Sequence, residues 1–196
     1  MSKLTDKDAL RARLRALRRR LAVQQPDAAL RAARRLPLSR FARFRVVASY
    51  CPTGSEFDPA PVLQAILGFD PGRARAALPA AIDRDSPLRF RLWRAGDPLA
   101  PDAFGIPSPP ASAPEVQPNL VITPLLGFDR HGGRLGQGGG HYDRTLANLR
   151  RVRPVFVLGL AFSGQELAAV PTDPHDQRLD AILTETEFIE VARESR

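Results

Sequence analysis

Between Gly132 and Gly140 six of nine residues are glycine, and they join an apolar run, Asn119 to Thr123, to a helix-prone segment that starts near Gly140. Glycines admit positive φ angles and close backbone approach, so consecutive N–H groups can converge on phosphate oxygens at the mouth of the following helix. Arg134 adds a fixed cation inside this loop, and Asp143 adds a carboxylate able to hold a metal ion. The combination suits a nucleotide phosphate site. It lacks both common fingerprints: a Walker A loop needs Lys and Ser or Thr after its last glycine, where this chain has His141 and Tyr142. A dinucleotide loop needs a third glycine three positions after Gly138, and His141 stands there. On residue types alone, a glycine hairpin without a ligand stays open as the alternative.

The loop needs a scaffold, and the chain alternates segments that would build one. Thr5 can cap a basic helix over about 5–23, in which Leu10, Leu14, Leu17 and Leu21 recur every three to four residues and arginines occupy the other faces. A second helix is expected from Asp27 to Leu36 and a short strand from Val46 to Tyr50. Residues 53–56 then turn toward a helix over 59–67, which leaves Glu56 at the carboxyl end of that strand, where open α/β sheets place their ligands. Strands are expected at 75–78 and 88–93, with Pro79 and Pro87 blurring their limits. Residues 98–118 carry seven prolines and form an excursion, ordered or mobile. After the glycine loop come a helix over 140–150, a strand over 155–161, a helical stretch around 165–169 and a last strand over 181–184. Strands alternating with helices predict a three-layer αβα sandwich, Rossmann-like, with a mostly parallel or mixed sheet.

Composition narrows the class. With 196 residues and 43% hydrophobic content the chain can bury one good core, so a single domain over residues 1–196 is expected. No apolar run approaches the ~20 residues of a membrane span, and charges occupy the N-terminal segment, so a cytoplasmic protein is expected. Cys51 is the only cysteine, which excludes an internal disulfide and a cysteine-based zinc cluster, and it reads as a small buried hydrophobe at a strand end rather than a nucleophile. The net charge of +8 is uneven: residues 1–45 hold fourteen of the 29 basic residues and three of the 21 acids. Such a face is either a solvated surface or a field that attracts polyanions.

The wording around the loop, P-L-x-G-F-D at Pro124 to Asp129 followed by R-L-G-x-G-G-G-x-Y-D-R at Arg134 to Arg144, resembles the 5-formyltetrahydrofolate cyclo-ligase family, also called 5,10-methenyltetrahydrofolate synthetases. K-x-x-L-R at Lys7 to Arg11, Glu56, F-G-I-P at Phe104 to Pro107 and H-D-x-x-L-D at His175 to Asp180 follow the same order. The resemblance implies an enzyme that uses ATP and Mg²⁺ to close 5-formyltetrahydrofolate, with or without a polyglutamate tail, into 5,10-methenyltetrahydrofolate. It implies the same α/β fold. By position, Lys7, Arg11 and the stretch Arg134, Leu135, Gly136, Gln137, Gly138, Gly139, Gly140, His141 and Tyr142 would hold ATP, with Arg134 and Lys7 catalytic. Glu56, Phe104 and Gln137 to His141 would face the folate, and Asp143 with Asp176 would hold Mg²⁺. A monomer without a nucleic-acid partner is expected.

Each assignment has a plainer competitor. Asp143 suits a helix N-terminus without any metal, Asp176 suits a turn, and Lys7 and Arg11 belong to a crowded charged face. Phe104 replaces the family's usual Trp, His141 its usual Tyr, and Gly139 a frequent Lys. The different class of function that stays open is a non-catalytic polyanion or RNA-binding protein on the same scaffold, although no aromatic cluster interleaves the basic region. Lys7→Ala is expected to raise the apparent KM for ATP much more than Arg19→Ala, since Arg19 contributes only to the general field; equal small effects would mark both side chains as solvated.

Overall fold

The computed structural model describes residues 3–192, with side chains from Asp6 onward. Helix α1 (Lys3–Gln24) is followed by α2 (Ala28–Arg35) and a single turn α3 (Leu38–Phe41), then β1 (Val46–Ala48), α4 (Ala60–Phe69), β2 (Arg75–Ala80) and β3 (Arg89–Leu92). A small hairpin, β4 (Ala100–Pro101) and β5 (Pro107–Ser108), sits in the proline-rich excursion, which is therefore ordered. Next come β6 (Leu120–Pro124), a second hairpin of β7 (Gly127–Phe128) and β8 (Arg134–Leu135), α5 (His141–Val152), β9 (Phe156–Leu160), β10 (Ala181–Leu183) and β11 (Phe188–Glu190).

Seven strands form one sheet in the order β11-β10-β9-β6-β1-β2-β3. The five inner strands are parallel, and β3 and β11 close the two edges antiparallel. Side chains alternate between the faces as a period of two requires. Leu120, Ile122, Leu158 and Leu160 face α2, α3 and α4, whereas Val121, Val157 and Ile182 face Leu146 and Leu149 of α5. Both faces are covered, which is why the inner strands read as unbroken apolar runs. The expected three-layer αβα sandwich with a mostly parallel, mixed sheet is what folds.

Several local expectations change. The first helix already includes Thr5, which is not its cap. Pro79 lies within β2 rather than ending it, because residues 75, 77 and 79 point their backbone groups toward β1 and that ladder has stopped at Ala48 and Ala77. The missing N–H thus breaks no sheet bond. The stretch expected to be helical over 165–169 is instead a 3₁₀ turn at Ser163–Gln165. Gln165 is fully buried there: its amide donates to the carbonyls of Leu125 and Leu126, and its carbonyl accepts from Phe162 N–H. The strand at 181–183 is not the last, since β11 pairs with it.

The two-stranded hairpin β7–β8 was hidden inside the glycine loop. Asp129 ties its turn: the carboxylate, 5% exposed, accepts N–H groups of His131 (2.9 Å), Gly133 (2.9 Å) and Val170 (2.8 Å). Leu126 and Leu135 of this hairpin then pack under Leu10, Leu14 and Leu17 of α1. A methyl group on Gly133 would run into the Asp129 carboxylate and Val170. Gly133→Ala should therefore cost about 2–3 kcal/mol in urea unfolding, by overpacking and by loosening buried hydrogen bonds. Stability within about 0.5 kcal/mol of the parent chain, the range of neutral surface changes, would show that the turn gives way freely.

Candidate active site

Strand β1 leads to β2 through α4 on one face of the sheet, and β6 leads to β9 through α5 on the other. The strand order therefore reverses between β1 and β6, and open sheets bind ligands at the carboxyl ends beside such a reversal. A cleft of about 700 Å³ lies there. Its floor is Tyr50, Cys51, Pro79, Pro124 and Leu125, one wall is α1, and the other wall is the chain from Arg134 to Asp143.

Every residue singled out from the sequence lines this one cleft: Lys7, Arg11, Glu56, Phe104, Arg134 to Asp143 and Asp176. Helix α1 supplies its cations at successive turns. Lys7 Nζ meets Asp173 at 2.6 Å and Asp176 at 3.6 Å, and Arg11 reaches Asp8 at 2.6 Å and the Gly136 carbonyl at 3.2 Å. Arg134, with its side chain 4% exposed, donates to Asp143 at 2.6 Å and lies over the Tyr142 ring at 5.6 Å. The same Asp143 oxygen accepts Gln177 N–H at 3.0 Å, which brings the turn carrying Asp176 beside the start of α5. Asp143 is thus more than a helix-end acid. It neutralises a buried guanidinium.

Gly140 has φ of 66° and Gly138 of 102°, the left-handed region that only glycine enters cheaply, and both stand at the entry to α5. The N–H groups of Gly138, Gly139 and Gly140 make no hydrogen bond to the described residues. An oxygen-rich anion fits such donors at a helix mouth. At the rim, the exposed Phe104 ring stands edge-on to His141 at 5.3 Å. Those two departures from the family wording are therefore neighbours.

The sequence reading missed Arg18. It lies seven residues after Arg11 on the same stripe of α1, a spacing lost among six arginines between 11 and 20. Its guanidinium is buried against Glu56 at 3.6 Å and Leu125 O at 3.4 Å. Burial lowers its pKa below the ordinary guanidinium value, while Glu56 works in the opposite direction. Glu56 also accepts Thr53 N–H at 3.0 Å, so its carboxylate is held at the floor. Tyr50 and Tyr142 are raised, by burial first and then by the negative charge of Glu56.

Among the described residues no three His, Cys, Asp or Glu side chains converge as a metal cage. Asp143 and Asp176 both line the cleft and are the pair that could hold a Mg²⁺ ion, which binds proteins through one or two carboxylates and keeps several waters.

The profile of the 5-formyltetrahydrofolate cyclo-ligase family matches residues 3–185. The chain belongs to this family. It is 32% identical over 148 residues to the 5-formyltetrahydrofolate cyclo-ligase of Mycolicibacterium smegmatis, covering 71% of this chain and 73% of that one. Against the Haemophilus influenzae protein of the same name it is 37% identical over 100 residues, or 49% of this chain and 53% of that one. The solved structure of 5,10-methenyltetrahydrofolate synthetase from Aquifex aeolicus superposes with a TM-score of 0.78 at 26% identity, covering 97% of this chain and 94% of that one. As a cyclo-ligase family member the chain is an enzyme, a ligase. No helix among the described residues is long and apolar enough to cross a membrane.

Cys51 lines the cleft, but burial pushes its thiol pKa up and nearby Asp102 adds to the rise. A raised pKa means less thiolate at a given pH, so iodoacetamide at pH 8 should label Cys51 more slowly than free cysteine. Labelling at the rate of free cysteine or faster would show an activated thiol.

Proposed function

We propose that the chain catalyses ATP- and Mg²⁺-dependent cyclisation of 5-formyltetrahydrofolate to 5,10-methenyltetrahydrofolate, releasing ADP and phosphate. The observation that carries this is one cleft in which the glycine loop, the cations Lys7, Arg11 and Arg134 and the fixed Glu56 carboxylate face one another. On this proposal the 196-residue chain is a single domain that acts as a monomer in the cytoplasm.

A formamide oxygen is a poor leaving group, so the ring closes only after that oxygen becomes part of a phosphate. The formyl oxygen attacks the γ-phosphorus of ATP and ADP departs, leaving a phosphorylated imidate on N5. N10 then attacks the formyl carbon, loses its proton, and phosphate leaves with the original oxygen. Such a transfer needs alignment and charge neutralisation rather than a protein nucleophile. Lys7, Arg11 and Arg134 neutralise the developing charge on the transferring oxygens, and the loop N–H groups orient them. Glu56 takes N–H donors of the pterin, and Phe104 with His141 covers the folate at the rim. Asp143 and Asp176 would hold Mg²⁺, whose charge would help to neutralise the phosphates.

The charges inside the cleft give this scheme a constraint. Lys7 is paired with Asp173 and Asp176, and Arg134 with Asp143, so these two cations sit on acids of the same cleft, while Arg11 is paired with Asp8 on its own helix. Phosphate binding would move the cations to new partners and free Asp143 and Asp176 to hold the metal ion.

Pure protein mixed with Mg-ATP and 5-formyltetrahydrofolate should develop the absorbance of methenyltetrahydrofolate, strictly with ATP. Folded protein that makes no product with both substrates present would remove the enzymatic reading and return attention to polyanion binding. Asp143→Asn should lower turnover by about tenfold or more and shift the Mg²⁺ requirement upward, with partial rescue at high Mg²⁺. An unchanged Mg²⁺ dependence would leave Asp143 as the partner of Arg134 alone.

A further inference from the structure

Two arginines outside the cleft hold the far edge of the glycine loop. Arg144, on the first turns of α5, donates through Nη2 to the Gly139 carbonyl at 2.9 Å and to the Arg84 carbonyl at 2.6 Å. From the opposite side, Arg15 of α1 grips Gln137: Nε donates to the side-chain carbonyl at 2.8 Å and Nη2 reaches the backbone carbonyl at 3.4 Å. Neither arginine is among the residues that line the cleft, although Gln137, Gly139 and Arg84 are.

Peptide geometry turns these contacts into a constraint on the N–H groups. In a trans peptide the carbonyl of one residue and the N–H of the next point opposite ways, and there is no cis bond among the described residues. Pulling the Gln137 and Gly139 carbonyls toward Arg15 and Arg144 therefore directs the N–H groups of Gly138 and Gly140 away from them. Both of these glycines have positive φ, and their N–H groups meet no acceptor among the described residues. Arg144 is also packed tightly against Gly140: a methyl group there would lie 2.6 Å from its Nη1.

Resting on the proposed nucleotide site, we infer that Arg144, seconded by Arg15, is a positioning residue that presets the glycine loop for the phosphates without touching them. A loop of this many glycines is otherwise expensive to order on binding, so holding its carbonyls beforehand moves that entropy from binding to folding. Arg144 also fastens the loop to the segment after β2 through Arg84 O, so the glycine loop and that segment share one guanidinium. The role depends on N–H donation to carbonyls rather than on charge.

Charge and donation separate in two replacements. Citrulline in place of Arg144, introduced by semisynthesis, is isosteric with arginine and keeps terminal N–H donors without the charge, whereas Met loses both. Calorimetric titration with Mg-ATP should show Arg144→Met weakened by about tenfold or more, as for loss of preorganisation, and the citrulline protein by less than about threefold. Backbone ¹⁵N order parameters of Gly136–Gly140 in the free protein should fall in the Met variant and be largely restored with citrulline. Arg19→Met on the solvent face should match the parent in both measurements. Equal weakening by citrulline and Met would assign Arg144 to the electrostatic field and overturn the inference, as would unchanged order parameters in the Met variant. Should Arg144→Met not fold, Arg15→Met carries the same expectation with a smaller effect, and unchanged loop order parameters there overturn it. A parent chain that binds no nucleotide would sink the proposed site instead, while the loop order parameters would still decide the positioning role.

Discussion

The contacts between α1 and the rest of the cleft set the terms for everything the site can do. Four cations on one stripe of this helix each meet a different part of the opposite wall or floor: Lys7 the 173–176 turn, Arg11 Gly136, Arg15 Gln137, and Arg18 Glu56. A charge taken out of water must be paired, and removing one partner of a buried pair is costly. The cleft satisfies this by coupling its own acids to its own bases, Arg134 with Asp143 included. A ligand of one sign would strand the charges of the other. A triphosphate that arrives with a divalent cation offers a partner to both.

Such coupling requires rigid support, and the fold provides it from beneath. Strands β1 and β6, largely buried and apolar apart from Thr123, bring Tyr50 and Leu125 to the floor at the reversal of strand order. The buried Gln165 amide holds the carbonyls of Leu125 and Leu126, and Asp129 fixes the hairpin turn a few residues later. Leu10, Leu14 and Leu17 then seat α1 on that hairpin, so the cationic stripe is placed by apolar packing on the adjacent face. The net charge gathered in the first 45 residues is in part this stripe and in part solvated arginine such as Arg19.

What could be read from the sequence was whatever has a local signature. The glycine cluster marked the loop, the leucine repeat marked α1, and the apolar runs marked β1, β6 and β9. The family resemblance, ten residues of it in the loop and five elsewhere, singled out fifteen residues that the fold gathers into one cleft. Strand β11 escaped because three edge residues carry too little alternation to be seen, and it exists through its pairing with β10. Lys7 and Asp173 are 166 residues apart, so no spacing could join them. Arg15, Arg18 and Arg144 were invisible for a different reason. In a chain this rich in arginine, residue type does not separate a buried or carbonyl-holding guanidinium from a solvated one; only its neighbours do.

On the proposed function, the cations of the cleft would exchange carboxylates for phosphates once a divalent cation is available to Asp143 and Asp176. Titration of the free protein with ATP in excess EDTA, set beside the same titration in excess Mg²⁺, addresses it without any turnover. Binding should be tighter with Mg²⁺ by about tenfold or more, since each carboxylate left beside a triphosphate costs about 1 kcal/mol or more. Equal affinity in the two titrations, or tighter binding without the metal, would contradict the exchange.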